Sequence, residues 1–265
     1  MRVKSDDAEI FYDVIGKGPD VVLLHPFPAN HDVWVPVAEA LSTRYRLILP
    51  DLRGHGDSTA GDGPATMEKH AADLRRVLED AGVGRAVFAG VSIGGYILFE
   101  FWRRERERFA GIVLSDTKAA ADTDEARGAR LKSAEDVERF GPEQFLEAQP
   151  ARLLGRTTQR TRPDLTDRVR TMMRKMTVKG IALIQRGMAM RPDSTPILRT
   201  VDVPCLLMFG DEDELTTVAE AQHMERQIVN SRLQVITGAG HYAVFERHED
   251  AALILRQWLD RLPRW

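Results

Sequence analysis

The sequence predicts an α/β fold: a mostly parallel central sheet with helices on both faces and an inserted helical cap. Two observations carry this. Short runs, apolar at nearly every position, alternate with longer amphipathic ones, and strands apolar throughout belong to sheets covered on both sides. The alternation then stops between about residues 119 and 199, where the patterns are helical and rich in charge and methionine, and resumes at Pro204. An insertion over an α/β core explains that break. It divides the chain into a core, residues 1–118 and 200–265, and a cap, residues 119–199.

The elements follow in order. Ile10 to Ile15 reads as a strand, paired with Arg2-Val3-Lys4 across the turn Ser5-Asp6-Asp7. Further strands are expected at Val21 to His25, Arg46 to Pro50, Ala86 to Val91, Ile112 to Ser115, Pro204 to Phe209 and Leu233 to Ile236. Between them, apolar residues recur at helical spacing in Val33 to Leu41, Met67 to Ala81, Ile93 to Arg106, Val218 to Ile228 and Asp250 to Leu262.

Bulk composition narrows the function. With 37 basic and 40 acidic residues in 265, the net charge of −3 gives no reason to expect nucleic acid as a partner. The single cysteine, Cys205, forms no intrachain disulfide, and the first residues (MRVKSDDAEI) have no apolar signal core. The longest uncharged run, Ala86 to Phe99, is too short for a membrane span. These features lead us to expect a cytoplasmic protein with no membrane partner.

The residues that could do chemistry lie where strands end. Gly90-Val91-Ser92-Ile93-Gly94 follows an apolar strand and opens a helix, the context in which G-x-S-x-G presents a serine on a sharp turn. A serine hydroxyl needs a base, and histidine has the pKa for that task. Of seven histidines, His241 stands in a glycine-rich loop after the strand ending at Ile236. His25 reads as a structural residue shaping Pro26-Phe27-Pro28, and His55 as part of a tight loop. His31, His70, His223 and His248 are expected to be solvated. A carboxylate must then orient the imidazole. Gly210-Asp211-Glu212-Asp213-Glu214 follows a strand, and Asp213 completes the order Ser, Asp, His known for one serine-hydrolase architecture. Asp116 is the fallback acid.

With DLRGHGDS (Asp51 to Ser58), GVSIGG (Gly90 to Gly95) and the His25-Pro26-Phe27-Pro28 loop, these pieces resemble the α/β-hydrolase superfamily through about two thirds of the chain. The chain looks most like small carboxylesterases, 3-oxoadipate enol-lactonases and cofactor-free haloperoxidase-like enzymes. The resemblance implies an α/β-hydrolase fold, a catalytic triad of Ser92, Asp213 and His241, and an oxyanion hole made by the amides of Phe27 and Ile93. It also gives a reason for the two prolines around Phe27: neither has an N–H, so Phe27 is the only main-chain donor from residue 26 to 28. Pro26 stands where the family usually has glycine, which leaves the backbone path of this loop, a cis X-Pro bond included, open.

The expected function is carboxylesterase activity through an acyl-enzyme on Ser92, with a small-molecule ester or lactone as substrate and no cofactor or metal. Phe27, Trp34, Tyr96 and Met188 are expected to line the substrate pocket. From Arg152 to Arg191 eleven basic residues meet two acidic ones. A solvated face or a contact within a homo-oligomer is the plain reading. A sharper one has one or two arginines binding a substrate carboxylate, which would suit an enol-lactone or C–C bond hydrolase. A third alternative is a non-catalytic ligand-binding receptor of the same fold.

Overall fold

The computed structural model describes residues 1–263 and 265. Eight strands form one sheet: β1 (Arg2–Ser5), β2 (Ala8–Gly16), β3 (Asp20–Leu24), β4 (Arg46–Pro50), β5 (Ala86–Val91), β6 (Phe109–Ser115), β7 (Cys205–Gly210) and β8 (Ser231–Ile236), in the spatial order β1-β2-β4-β3-β5-β6-β7-β8. β1 pairs β2 antiparallel, as does β2 with β4, and every later pairing is parallel. The sheet explains the unbroken apolar runs. Val22, Phe88, Leu114 and Leu207 pack into one core, while their neighbours Val21, Val87, Val113 and Leu206 pack into the other. Both faces are dry, so both phases of each strand must be apolar.

Helices cover the two faces: α1 (Val35–Leu41), α2 (Met67–Asp80) and α3 (Ile93–Glu105) alternate with the first parallel strands. Five more, α4 (Asp124–Phe140), α5 (Glu143–Leu153), α6 (Arg156–Thr161), α7 (Pro163–Met173) and α8 (Val178–Ala189), lie between β6 and β7, where the described residues form no strand. The chain ends with α9 (Val218–Gln227), α10 (Ala243–Glu246) and α11 (His248–Leu259). Among the described residues no helix is long and apolar enough to cross a membrane. Phe88 of β5 meets Phe109 of β6 and Phe101 of α3 at ring-centroid distances of 4.5 and 5.4 Å. Such pairs add roughly 0.5 to 1.5 kcal/mol each beyond burial, which presses α3 against the middle of the sheet.

β3 lies between β4 and β5, so the loops leaving β3 and β5 diverge to opposite sides of the sheet. In parallel α/β sheets, ligands bind in the crevice that opens at such a point, beyond the carboxyl ends of the strands. Here that crevice is bordered by the loop after Leu24 and the turn after Val91.

Some element ends differ from those expected. The pattern Val33 to Leu41 splits into a short 3-10 turn, His31–Val33, and α1, which carries Pro36 in its first turn, where a missing N–H does no harm. The last helix starts earlier, at His248, behind the one-turn α10.

Two histidines expected in solvent are buried. His70 lies on the α2 stripe formed by Met67, Ala71, Leu74 and Leu78, and burial together with the Arg53 charge holds it neutral. His31 is fixed by Asp51, whose Oδ1 accepts from the His31 backbone N–H at 2.9 Å and from its Nδ1 at 2.7 Å. The other Asp51 oxygen accepts from Asp57 N–H at 2.8 Å. Arg53, equally buried, grips Asp73 through Nε and Nη2 at 2.6 and 2.7 Å and Asp7 through Nη1 at 3.0 Å. The DLRGHGDS loop is thus tied to the strand and helix beside it.

Burial alone would raise the Asp51 carboxyl, but the His31 hydrogen bond, the charges of His25 and His31 and the Asp57 amide outweigh it and hold the group at about 2, below its ordinary 3.8. As pH falls the unfolded chain takes the proton first. We predict a contribution of about 2 kcal/mol, complete above about pH 4 and lost as the pH falls to about 2. Urea unfolding of wild type and Asp51→Asn across that interval should show their stability gap narrowing toward acid, and a gap that stays constant would contradict this account.

Candidate active site

The turn from β5 into α3 leaves one residue, Ser92, between strand and helix. Its φ of 53° and ψ of −114° lie outside the regions an ordinary side chain prefers. Glycine is required at 90, because a Cβ there would stand 2.4 Å from the Gly94 carbonyl carbon. The serine backbone is held on both sides. Its N–H donates to Ser115 O at 3.0 Å, and its carbonyl accepts from Thr117 Oγ1 at 2.7 Å and Gly95 N–H at 2.9 Å.

Ser92 opens into a cavity of about 300 Å³ whose walls include Phe27, Tyr96, Met188, Leu215 and His241. His241 donates through Nδ1 to Asp213 Oδ2 at 2.8 Å. An ionised carboxylate only accepts, so this bond places the ring proton on Nδ1 and leaves the Nε2 lone pair free. The Thr216 hydroxyl donates to the same Asp213 oxygen, and the Leu215 and Thr216 amides donate to the other at 2.8 and 3.2 Å. Burial opposes ionisation of Asp213, but the His241 charge and these hydrogen bonds prevail and hold the carboxyl below its ordinary range.

The fallback acid sits elsewhere. Asp116 is fully buried at the end of β6, accepting from the Gly210 N–H at 2.9 Å and the Ser115 hydroxyl at 3.0 Å, with no bond to His241. Burial, then the nearby Asp213 charge, push its carboxyl well above the ordinary range. Of the two buried carboxyls, Asp213 is thus the one whose surroundings favour the charged form.

The Phe27 loop is built from its neighbours. His25 is buried; its Nε2 accepts from Leu52 N–H at 2.9 Å, so its Nδ1 carries the proton and donates to Pro26 O at 2.9 Å. Burial lowers its pKa to about 4, which keeps this neutral tautomer in place. The Phe27–Pro28 bond is cis, and Ala29 N–H closes the turn on Pro26 O at 3.1 Å. Tyr242, next to His241, donates its hydroxyl to Phe27 O at 3.0 Å. Among the described residues no acceptor takes the Phe27 or Ile93 N–H. Ile93 itself packs into the core, and its amide belongs to the first turn of α3, where donors lack helical partners.

Of the residues expected to line the pocket, Phe27, Tyr96 and Met188 do so. Trp34 does not. It is fully buried in the core behind α1, and its indole N–H donates to Leu24 O at 3.0 Å, as an internal tryptophan requires.

Polar lining residues went unread in the sequence: Lys118, Asp122, Arg130, Gln149 and Gln185. Asp122 holds Arg130 at 2.6 Å and the buried Arg191 at 2.9 Å, and the Arg191 guanidinium lies 4.1 Å from the Tyr96 ring centroid. Of the basic run, Arg152 lines the cavity, whereas Arg156, Arg162, Arg170 and Arg186 pair with carboxylates nearer the surface. Lys118 and Arg152 pair with no carboxylate among the described residues.

This geometry has close counterparts. A thermophilic esterase from Thermogutta terrifontis, solved with malate bound, is 36% identical, with a TM-score of 0.95 over 98% of each chain. The enol-lactonase from Burkholderia xenovorans, 23% identical, shares the fold at a TM-score of 0.91 over 98% of this chain and 100% of that one. The chain is 25% identical to 3-oxoadipate enol-lactonase 1 of Acinetobacter baylyi over 87% of its own length and 85% of that protein's. The family model for the alpha/beta hydrolase fold matches residues 19–248, a span that holds the parallel strands and Ser92, Asp213 and His241 alike. By that match and by its sheet order, the chain belongs to the alpha/beta hydrolase fold family.

Proposed function

We propose that the protein hydrolyses carboxylic esters by acyl transfer through Ser92. The observation that carries this reading is the shared cavity: Ser92 and His241 both line it, and the His241 proton is committed to Asp213, which frees Nε2 to act as a base. The relatives named as esterases and lactonases support a hydrolase.

Ser92 Oγ attacks the ester carbonyl carbon while its proton passes to His241 Nε2. The tetrahedral oxyanion is met by the free amides of Phe27 and Ile93; losing one such donor typically costs roughly 3 to 4 kcal/mol of transition-state stabilisation. The intermediate collapses, His241 protonates the departing alcohol, and an acyl-Ser92 ester remains. Water, deprotonated by His241, then releases the acid. Asp213 stays ionised throughout and stabilises the imidazolium. In this scheme residues 119–199 act as a cap that shapes the acyl or alcohol side of the cavity.

A second reading is favoured by one observation. Lys118 and Arg152 line the cavity without a carboxylate partner, while Asp122 is already shared by two arginines. Two unanswered cations suit a substrate that itself bears a carboxylate, such as an enol-lactone opened by the same acyl transfer. The relatives named enol-lactonases, and the esterase solved with malate, are compatible with that choice.

We predict that a fluorophosphonate labels Ser92 stoichiometrically. Turnover of p-nitrophenyl acetate should fall by roughly 10⁵-fold or more in Ser92→Ala and His241→Ala, and by about 10⁴-fold in Asp213→Asn. Undiminished turnover by Ser92→Ala would falsify the scheme. For the second reading, Lys118→Met and Arg152→Met should each raise KM for an anionic lactone by roughly fivefold and leave neutral esters unchanged, as expected for a half-exposed charge pair worth about 1 kcal/mol. Equal effects on both substrate classes would remove the charge-recognition idea.

A further inference from the structure

Glu246 closes an otherwise apolar run, Tyr242-Ala243-Val244-Phe245, five residues after His241. It is 1% exposed, and no lysine, arginine or histidine forms an ion pair with it among the described residues. A carboxylate buried without a cation must be satisfied by hydrogen bonds, or it destabilises the fold by several kcal/mol. Backbone amides satisfy this one. Oε1 accepts from Gly240 N–H at 2.9 Å and Tyr242 N–H at 3.3 Å, the residues on either side of His241. Oε2 accepts from Gly155 N–H at 2.8 Å, just beyond the end of α5. Between these contacts the His241 N–H donates to Leu153 O at 2.8 Å.

The two backbones touch. A Cβ on Gly240 would lie 2.3 Å from Gly155 N, so neither segment moves here without the other. The Asp213 loop has a similar strut: Glu212 accepts from Thr157 N–H at 2.8 Å and from the Thr157 hydroxyl. α5 meanwhile contributes Phe145, Gln149, Arg152 and Leu153 to the cavity wall. The peptide that carries the imidazole is thus fastened to the helix that forms the wall.

We propose that Glu246 is a positioning residue: its two carboxylate oxygens clamp the peptides flanking His241 to Gly155, holding the imidazole in register with the cavity wall and with Ser92. This rests on His241 being the base of the proposed hydrolysis. Three N–H donors divided between two oxygens require an acceptor on each, and only a carboxylate provides that. Glutamine has the same volume but one oxygen, so its amide NH₂ would point at an N–H on one side and release one jaw of the clamp.

Glu246→Gln and the charge-preserving, shorter Glu246→Asp are the test variants. For p-nitrophenyl acetate, kcat should fall by about 10- to 100-fold with KM nearly unchanged, the loss expected when a catalytic group is displaced by about 1 Å. The downfield proton resonance of His241 Nδ1–H, bonded to Asp213, should shift or broaden in both. A purely structural Glu246 would lower the unfolding midpoint yet leave kcat of the folded protein and that resonance as in wild type, and this result overturns the proposal. Should neither variant fold, hydrogen exchange of the wild type decides. Gly155, Gly240 and Tyr242 amides that exchange at one common slow rate support the clamp, and a Gly155 amide faster by more than about tenfold overturns it. Activity surviving in His241→Ala would instead remove the hydrolysis reading and the clamp's purpose with it, whereas loss in His241→Ala beside full activity in Glu246→Gln would remove the clamp alone.

Discussion

The arrangement around the cavity depends on the turn at Ser92, where the chain passes from the centre of the sheet into a helix through a single residue. A backbone in this region costs of order 1 to 3 kcal/mol and persists only where the surroundings fix it. β5 is flanked by β3 and β6, α3 is held by the Phe88, Phe101 and Phe109 rings, and the Ser92 peptide is bonded to Ser115 and Thr117. The position of every other group follows from sheet spacing. Neighbouring strands lie about 4.8 Å apart, so β7 is roughly 10 Å and β8 roughly 14 Å from β5. Side chains at the strand ends could not meet over such distances. Asp213 and His241 therefore stand three and five residues past the ends of β7 and β8, on loops long enough to lean back toward Ser92.

Leaning loops need fixing, and buried acids do it in three ways. Asp213 is compensated by an imidazole and keeps its charge. Asp116, pushed well above the ordinary range by burial and by Asp213, ties β6 to Gly210, where the Asp213 loop begins. Glu246, raised by burial and opposed by hydrogen bonds from the amides of Gly155, Gly240 and Tyr242, joins the His241 loop to the chain after α5.

Much of this could be read in the sequence because its causes are local or strictly periodic. Strands dry on both faces need unbroken apolar runs, which put β4 and β5 at their observed ends. A serine between glycines after such a run has few structural alternatives, and Asp213 and His241 follow strands in glycine-containing loops. The failures are equally physical. His70 sits on the buried stripe of α2, but whether a histidine there is solvated depends on Arg53 and the loop above it, partners distant in the chain. Trp34, expected in the pocket wall from residue type alone, instead finds an acceptor for its N–H in Leu24 O inside the core. The polar lining of the cavity was invisible because Lys118, Arg130 and Gln185 converge only once α4 packs on α8. Glu246 did leave a signal: a lone acid within an apolar run, just after a glycine-rich histidine loop.

On the proposed chemistry, the same geometry separates the reacting groups from the choice of substrate. Ser92, Asp213, His241 and the Phe27 amide come from loops of the sheet, whereas Arg130, Phe145, Arg152 and Met188 come from the segment between β6 and β7. Replacing side chains on α4, α5 or α8 changes the charge and shape presented to a substrate without moving the serine turn. The two halves still meet at one place, where Leu153 and Gly155 bond to the backbone at His241 and to Glu246. There the wall cannot shift without pulling on the imidazole, so variation in α5 is constrained at its C-terminal end and freer toward its start. On the proposed chemistry, substrate preference is therefore most open to change around Phe145 and Gln149, which face the cavity two to three turns and one to two turns, respectively, before that junction.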